Sequence, residues 1–202
     1  MERERIKKIV VAGAMSAIAI FLGATRLGFI PWFAGASLTI MAVPVIIGAI
    51  LEGPVVGFVI GLIFGVFSLI QAAVAPQGPT DVWFVDPLVS VLPRLFIGPA
   101  AWFVFRLLAR WKKSLALVLG AVAGSLTNTI LVLGMLGIKG LIPWTLIGTI
   151  ALVNGLPEAI AGAIITAAVV GAWWKVSPSS EQWMTEEQDN MENEGGDNAA
   201  GD

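Results

Sequence analysis

Arg94 is a lone basic residue inside an apolar stretch of the chain. It follows Pro93 directly and lies eight residues after Asp86-Pro87, a pair typical of a helix N-cap with proline at the first helical position. Pro93 also leaves the carbonyl of Val89 without its usual helical donor. Eight residues of helix rise ~12 Å, so Arg94 would lie within the hydrocarbon if this segment crosses a bilayer. A charge at that depth needs a partner or a ligand, which makes Arg94 a candidate for binding an anion.

Three more polar side chains, Asn128, Asn154 and Glu158, interrupt later apolar segments. Counted from the outer ends of their helices, Asn128 and Asn154 lie about nine and about ten residues deep, close to the depth of Arg94. Glu158 follows one turn deeper on the face of Asn154. A proline precedes Glu158, as one precedes Arg94, and broken backbone at membrane depth is tolerated where it lines a cavity. The sequence therefore predicts a pocket in the outer half of a membrane for a small anionic solute with amide or hydroxyl groups.

Four further residues are candidates for the same pocket: Asp86, Ser90, Trp83 and Trp32. Two alternatives stay open around it. Residues 25–37 form either an aromatic belt at the membrane interface or a lid loop over the pocket. Arg94 and Glu158 either receive a ligand or simply pair with each other and tie two helices together.

The composition is that of a membrane protein. The 202 residues are 57% hydrophobic and 13% charged, and the mean hydropathy is +0.87, whereas soluble domains carry about a quarter charged residues. The chain has no cysteine and no histidine. Disulfides, thiol chemistry, Ser-His or Cys-His nucleophiles and ordinary zinc or haem sites are therefore excluded, and no metal or cofactor is expected.

The apolar segments predict an all-α protein with six transmembrane helices, at residues 9–24, 38–51 (interrupted by Pro44), 55–74, 87 to about 109, about 115–136 and about 144–174. The charged start and the first apolar run would also fit a signal peptide. However, no clear cleavage site follows them, and five more apolar segments come later in the chain. Residues 1–175 are expected to form the membrane domain. Residues 176–202 hold eight acidic and no basic residues, and are expected to form an acidic, disordered cytoplasmic tail.

The basic residues predict the orientation. With the N-terminus inside, nine lie on the inner side: Arg3, Arg5, Lys7, Lys8, Arg106, Arg110, Lys112, Lys113 and Lys175. The outer loops hold Arg26 and Lys139. Both termini are therefore expected in the cytoplasm.

Small residues predict where helices approach closely. Gly53, Gly57, Gly61 and Gly65 recur every four residues in the third helix, which indicates a face that lies flat against another helix, within the bundle or in a partner. The first helix carries small residues with the same spacing: Ala12, Gly13, Ser16 and Ala17.

Four stretches together resemble the S components of energy-coupling factor (ECF) transporters, the membrane proteins that capture vitamins. They are residues 46–57 (IIGAILEGPVVG), 86–94 (DPLVSVLPR), 126–129 (LTNT) and 154–159 (NGLPEA). The resemblance covers roughly residues 9–174. It implies a six-helix bundle in a prokaryotic cell membrane that binds one solute from outside.

The resemblance also implies partners. An S component docks through small residues of its first helix, here Ala12/Ser16 or Gly13/Ala17, on a transmembrane coupling protein driven by two cytoplasmic ATPases. The chain has no Walker motif, so it is not expected to be an enzyme. No nucleic-acid partner is expected.

The pattern is most similar to the pantothenate-type branch. Pantothenate carries a carboxylate, an amide and two hydroxyls, which Arg94, Asn128 and Asn154 would satisfy. Folate and riboflavin remain alternatives, because aromatic residues of the outer segments are suited to stacking on a ring: Phe29, Trp32, Trp83 and Phe84.

Three other classes compete with this interpretation. A proton-coupled secondary transporter would use Glu158 or Asp86, but such proteins usually show internal repeats, which are not evident here. An intramembrane enzyme would need a carboxylate pair, and these two lie roughly 18 Å or more apart along the helices. A purely structural scaffold is the third class, because the row of glycines in the third helix would suffice for helix packing without any ligand site.

Overall fold

The computed structural model describes residues 2–25, 27–31, 37–76 and 80–176. Its elements are α1 (Glu2–Ala24), β1 (Phe29–Pro31), β2 (Ser37–Thr39), α2 (Ala42–Glu52), α3 (Pro54–Val74), a 3₁₀ turn (Asp81–Val85), α4 (Pro87–Ser90), α5 (Leu92–Leu108), α6 (Lys113–Ile138), α7 (Trp144–Ile150), a π-helical turn (Ala151–Gly155) and α8 (Leu156–Val176). The predicted helical membrane architecture is confirmed.

Within the described residues, five segments are long and apolar enough to cross a membrane: Glu2–Ala24, Pro54–Val74, Pro87–Leu108, Lys113–Ile138 and Trp144–Lys175. The chain divides into two compact units, Met1–Ala168 and Val169–Asp202. The residues of the candidate site all belong to the first unit. The described part of the second unit is the last stretch of α8. The predicted domain boundary at residue 175 stays a prediction, and the acidic tail beyond 176 lies outside the described residues.

The second helix differs from its prediction. It starts at Ala42 rather than at residue 38, and its 11 residues rise ~16 Å, about half the thickness of the hydrocarbon. Pro44 does not interrupt it, because it lies in the first turn, where backbone N–H groups have no helical acceptor. Residues 42–50 are all buried, so α2 lies in the core of the bundle.

The residues before α2 pair as a short antiparallel hairpin instead. Phe29 lies opposite Thr39, and Pro31 lies opposite Ser37. The N–H of Ile40 donates to the carbonyl of Gly28 at the base of the hairpin, and the N–H of Gly28 donates to the carbonyl of Leu22 near the end of α1. A tertiary contact with the π-helical turn holds β2 in place. The lid interpretation of residues 25–37 is consistent with this position, although residues 32–36 lie outside the described residues.

The glycine row of α3 packs inside the bundle, as one of the two alternatives predicted. A Cβ on Gly61 would collide with the backbone carbonyl of Arg94, and one on Gly65 would lie 2.8 Å from the Cα of Val91. A Cβ on Gly57 would lie 2.9 Å from the Cα of Gly98. Gly53 has a different role, since it adopts φ +101° in the tight turn between α2 and α3. The row therefore presses α3 onto the backbone of α5 beside Arg94.

The predicted fourth helix is broken in two. The carboxylate of Asp86 caps α4 by accepting from the N–H of Leu88 at 2.9 Å, which confirms the predicted N-cap. The short helix ends at Ser90, and a new helix starts at Leu92 with Pro93 in its first turn. Proline is tolerated there because its missing N–H would have no acceptor in a first turn.

The predicted sixth helix is also interrupted. The chain widens into a π-helical turn at Ala151–Gly155, immediately before Pro157. Pro157 cannot donate to the carbonyl four residues earlier, and its ring would clash with that carbonyl in a regular α-helix. Single π-turns of this kind often occur at functional sites. The predicted coincidence of two backbone breaks beside Arg94 and Glu158 is confirmed.

Candidate functional site

Arg94 is buried, with 6% of its surface exposed. Its Nη1 donates to the carbonyl of Val89 at 2.5 Å, so the side chain itself satisfies the acceptor that Pro93 leaves without a helical donor. The guanidinium carbon lies 5.4 Å from the ring centre of Phe64 and 5.1 Å from that of Phe84. Two aromatic faces and one backbone cap thus hold the cation in a fixed orientation.

Glu158 lies on the first turn of α8, just after the π-turn, and is 9% exposed. The side chain of Asn128 and the backbone N–H of Thr39 in the hairpin lie close to its carboxylate. Arg94 and Glu158 interact electrostatically. In the part of the chain that the structure describes, however, no ion pair joins them directly. The alternative that these two residues simply tie helices together is therefore not what the structure records.

We call Arg94, Asn128 and Glu158 the polar cluster. Each is at least nine-tenths buried, and each retains one polar atom without a hydrogen-bond partner among the described residues: Nε of Arg94, Oδ1 of Asn128 and Oε1 of Glu158. A buried polar atom without a partner costs about 1–3 kcal/mol, and most such atoms in folded proteins are paired. Three of them on three helices indicate a site that a polar ligand completes.

Asn154 lies in the π-turn, and its Oδ1 is also buried without a partner in the described residues. The structure records no direct contact between its side chain and the polar cluster. The neighbouring Gly155 packs on Thr129 of α6, where a Cβ would lie 3.0 Å from Cγ2. This close approach sets the π-turn against the helix that carries Asn128.

Asp86 and Ser90 already have partners in the protein. Asp86 forms an ion pair with Lys139 at the end of α6 as well as capping α4. The hydrogen bond from Lys139 and, second to it, the backbone N–H of Leu88 lower the pKa of Asp86. The Oγ of Ser90 donates to the carbonyl of Asp86 at 3.0 Å. These contacts position α4. The ligand-binding role of Asp86 and Ser90 stays a prediction.

The two predicted tryptophans have different outcomes. Trp83 packs against a buried apolar cluster that contains Val89 and Leu133. Its neighbour Phe84 is one of the two aromatic residues whose rings contact the guanidinium of Arg94. Trp32 lies outside the described residues. Phe64 was missed by the sequence reasoning, although its position next to Gly65 on the helix of the glycine row was a usable signal.

The four predicted docking residues of α1 differ in solvent exposure. Gly13 and Ala17 are exposed, and a Cβ on Gly13 would meet no atom within 4 Å. Ala12 is half-buried, and Ser16 is buried at 5% exposure. Ser16 therefore faces the bundle and is not available on the exposed surface of α1. The docking role of the other three stays a prediction.

The family model for the substrate-specific component of ECF transporters matches residues 7–170. The chain belongs to this family. The Pantothenic acid transporter PanT of Lactococcus lactis subsp. cremoris is 31% identical to it over 161 residues, which is 70% of this chain and 80% of the relative. Together with the apolar helices, the family membership makes this substrate-specific component a multi-pass protein of the bacterial plasma membrane.

Proposed function

We propose that this ECF substrate-specific component captures pantothenate from outside the cell in a pocket built around the polar cluster. The observation that carries the proposal is the buried guanidinium of Arg94, which has a free Nε and no carboxylate partner recorded in the described residues. Such a group is suited to a ligand carboxylate. The similarity to a pantothenic acid transporter supports this choice of ligand.

In this proposal the carboxylate of pantothenate binds Arg94. The rings of Phe64 and Phe84 keep water away from the guanidinium, which strengthens its attraction for an anion. The hydroxyls and the amide N–H of the ligand turn towards the free oxygens of Asn128, Asn154 and Glu158. The hairpin, whose Thr39 backbone contacts Glu158, covers the occupied pocket.

The proposed transport cycle depends on partners. A transmembrane coupling protein and two cytoplasmic ATPases would supply the energy, because the chain itself has no Walker motif. The exposed side of α1 around Gly13 and Ala17 lets another helix approach closely, and we assign the coupling protein to it.

The test is a titration of the chain purified in detergent with pantothenate, folate and riboflavin by isothermal calorimetry, together with mass spectrometry of any co-purified small molecule. The proposal expects tight binding of pantothenate and at least ~100-fold weaker binding of the other two. Binding of folate or riboflavin instead would keep the capture role and refute the ligand. Binding of none, with uptake that collapses on adding an uncoupler to ATP-replete vesicles, would favour a proton-coupled secondary transporter.

A further inference from the structure

In the polar cluster and Asn154 together, the fully buried acceptors without a partner outnumber the donors. These fully buried atoms without a partner comprise one donor, Nε of Arg94, and three acceptors, the Oδ1 atoms of Asn128 and Asn154 and Oε1 of Glu158. A carboxylate brings acceptors and no donors, so it satisfies the arginine and leaves all three oxygens unpaired. The remainder of the ligand must therefore supply donors.

Of the three acceptors, Oε1 of Glu158 is the most firmly positioned. The side chain of Asn128 of α6 and the backbone of Thr39 lie close to this carboxylate. Glu158 lies in the first turn of α8, which follows the π-turn directly, so backbone geometry sets its direction as well. Its Oε1 is recorded without a hydrogen-bond partner in the described residues. It is a fixed acceptor at the base of the hairpin.

Charge imposes a second condition. Among the described residues, Arg94 and Glu158 are the charged residues that are buried as a whole, and the shielded carboxylate of Glu52 pairs with Lys7. Lys139, at the end of α6, is already paired with Asp86. A ligand with one carboxylate is matched by Arg94, whereas a second anionic group would face Glu158 without a cation to offset it.

From these conditions, and resting on the proposed function, we propose that Glu158 determines specificity. Its free oxygen accepts a hydrogen bond from a ligand hydroxyl, and its negative charge rejects solutes with a second anionic group. The site is thereby selective for monocarboxylates that carry hydroxyl and N–H donors. Pantothenate has one carboxylate, two hydroxyls and one amide N–H, which equals the three free acceptors in number.

The hydroxyl contact is tested with a thermodynamic cycle on the purified chain. Dissociation constants are measured for pantothenate and for two analogues, each lacking one hydroxyl, with wild type and with Glu158→Ala. In wild type, removing the hydroxyl that faces Glu158 leaves Oε1 unpaired and should weaken binding about tenfold or more. In Glu158→Ala the same removal should cost less than about twofold, because no acceptor is left unpaired. Equal losses in both proteins, for both analogues, would overturn the proposal.

The charge filter is tested with 4′-phosphopantothenate, in which one hydroxyl of pantothenate is esterified by an anionic phosphate. Wild type should bind it at least ~100-fold more weakly than pantothenate. In Glu158→Gln the ratio of the two dissociation constants should be about tenfold smaller than in wild type. Glu52→Gln is the matched control, since its carboxylate is also shielded but pairs with Lys7 at the α2–α3 turn. It should keep the wild-type ratio. An unchanged ratio in Glu158→Gln would refute the filter.

The outcomes separate this inference from the proposed function. If wild type fails to bind pantothenate at all, the proposed ligand is wrong whatever the variants do. If wild type binds pantothenate and the Glu158 variants show the same discrimination as wild type, the proposed function stands and the role of Glu158 is refuted. The measurements on wild type with altered ligands require no variant to fold.

Discussion

Arg94→Lys separates the charge of Arg94 from its geometry, since lysine keeps the cation and loses the planar fork of the guanidinium. In the structure the guanidinium makes two kinds of contact and keeps one donor free. Its Nη1 caps the carbonyl of Val89, its central carbon lies over the rings of Phe64 and Phe84, and its Nε has no partner among the described residues. The single nitrogen of lysine cannot cap that carbonyl and also make the planar two-point contact of a guanidinium with a ligand carboxylate.

The expected magnitudes follow from these contacts. An unpaired carbonyl of Val89 would cost about 1–3 kcal/mol in the free energy of unfolding. Replacing a two-point guanidinium contact by one ammonium contact removes one charged hydrogen bond, about 1.5–3 kcal/mol. That corresponds to roughly 10- to 100-fold in the dissociation constant of pantothenate. Arg94→Ala removes the charge as well and should lose more.

The assay is calorimetric titration with pantothenate, combined with a thermal unfolding scan of the same sample in detergent. Asp86→Ala is the comparison, because the carboxylate of Asp86 is engaged with Lys139 and the N-cap. It should cost less affinity than either Arg94 variant. If Arg94→Lys binds pantothenate within twofold of wild type and unfolds at the same temperature, the roles assigned to the guanidinium are wrong. Equal and small affinity losses from Arg94→Ala and Asp86→Ala would refute the proposed pocket.

Three more perturbations test other parts of the structure. Gly61→Ala should destabilise the bundle by ~1–3 kcal/mol in thermal unfolding, because its Cβ would collide with the carbonyl of Arg94, whereas Gly13→Ala should be close to neutral. Similar midpoints for the two variants would contradict the packing of α3 on α5. The ion pair of Asp86 with Lys139 lowers the pKa of Asp86, so its stabilisation is complete above the unfolded pKa of about 3.9 and is lost as the pH falls through the lower folded value. Asp86→Asn should remove this acid-dependent part of the unfolding profile, and an unchanged profile would refute it. Deleting residues 178–202 should leave binding and transport unchanged, and a transport defect would give the acidic tail a role.

The helices, the N-cap and the glycine face were predictable because each depends on local sequence. Asp86-Pro87 combines a side-chain acceptor with a preset φ, and the four-residue repeat of glycine needs no knowledge of its partner to indicate close packing. The two backbone breaks were equally local, since each follows from a proline. The depth count then brought Arg94, Asn128 and Glu158 together because helical rise is nearly constant.

The parts that were missed depend on tertiary contacts. The hairpin before α2 replaces the predicted first turns of a helix, and its pairing and its contact with the π-turn are not encoded in periodicity. The partner of Asp86 lies 53 residues away in sequence, so its ion pair with Lys139 could not be read from spacing. Phe64 was missed because an aromatic residue in an apolar helix is usually a packing residue.

An experimental structure of the chain with pantothenate bound would test the proposed pocket. We expect ligand density between α5, α6 and α8, with the carboxylate at hydrogen-bond distance from Arg94 and a hydroxyl at hydrogen-bond distance from Oε1 of Glu158. Density at another position, or an Arg94 that contacts no part of the bound ligand, would contradict it.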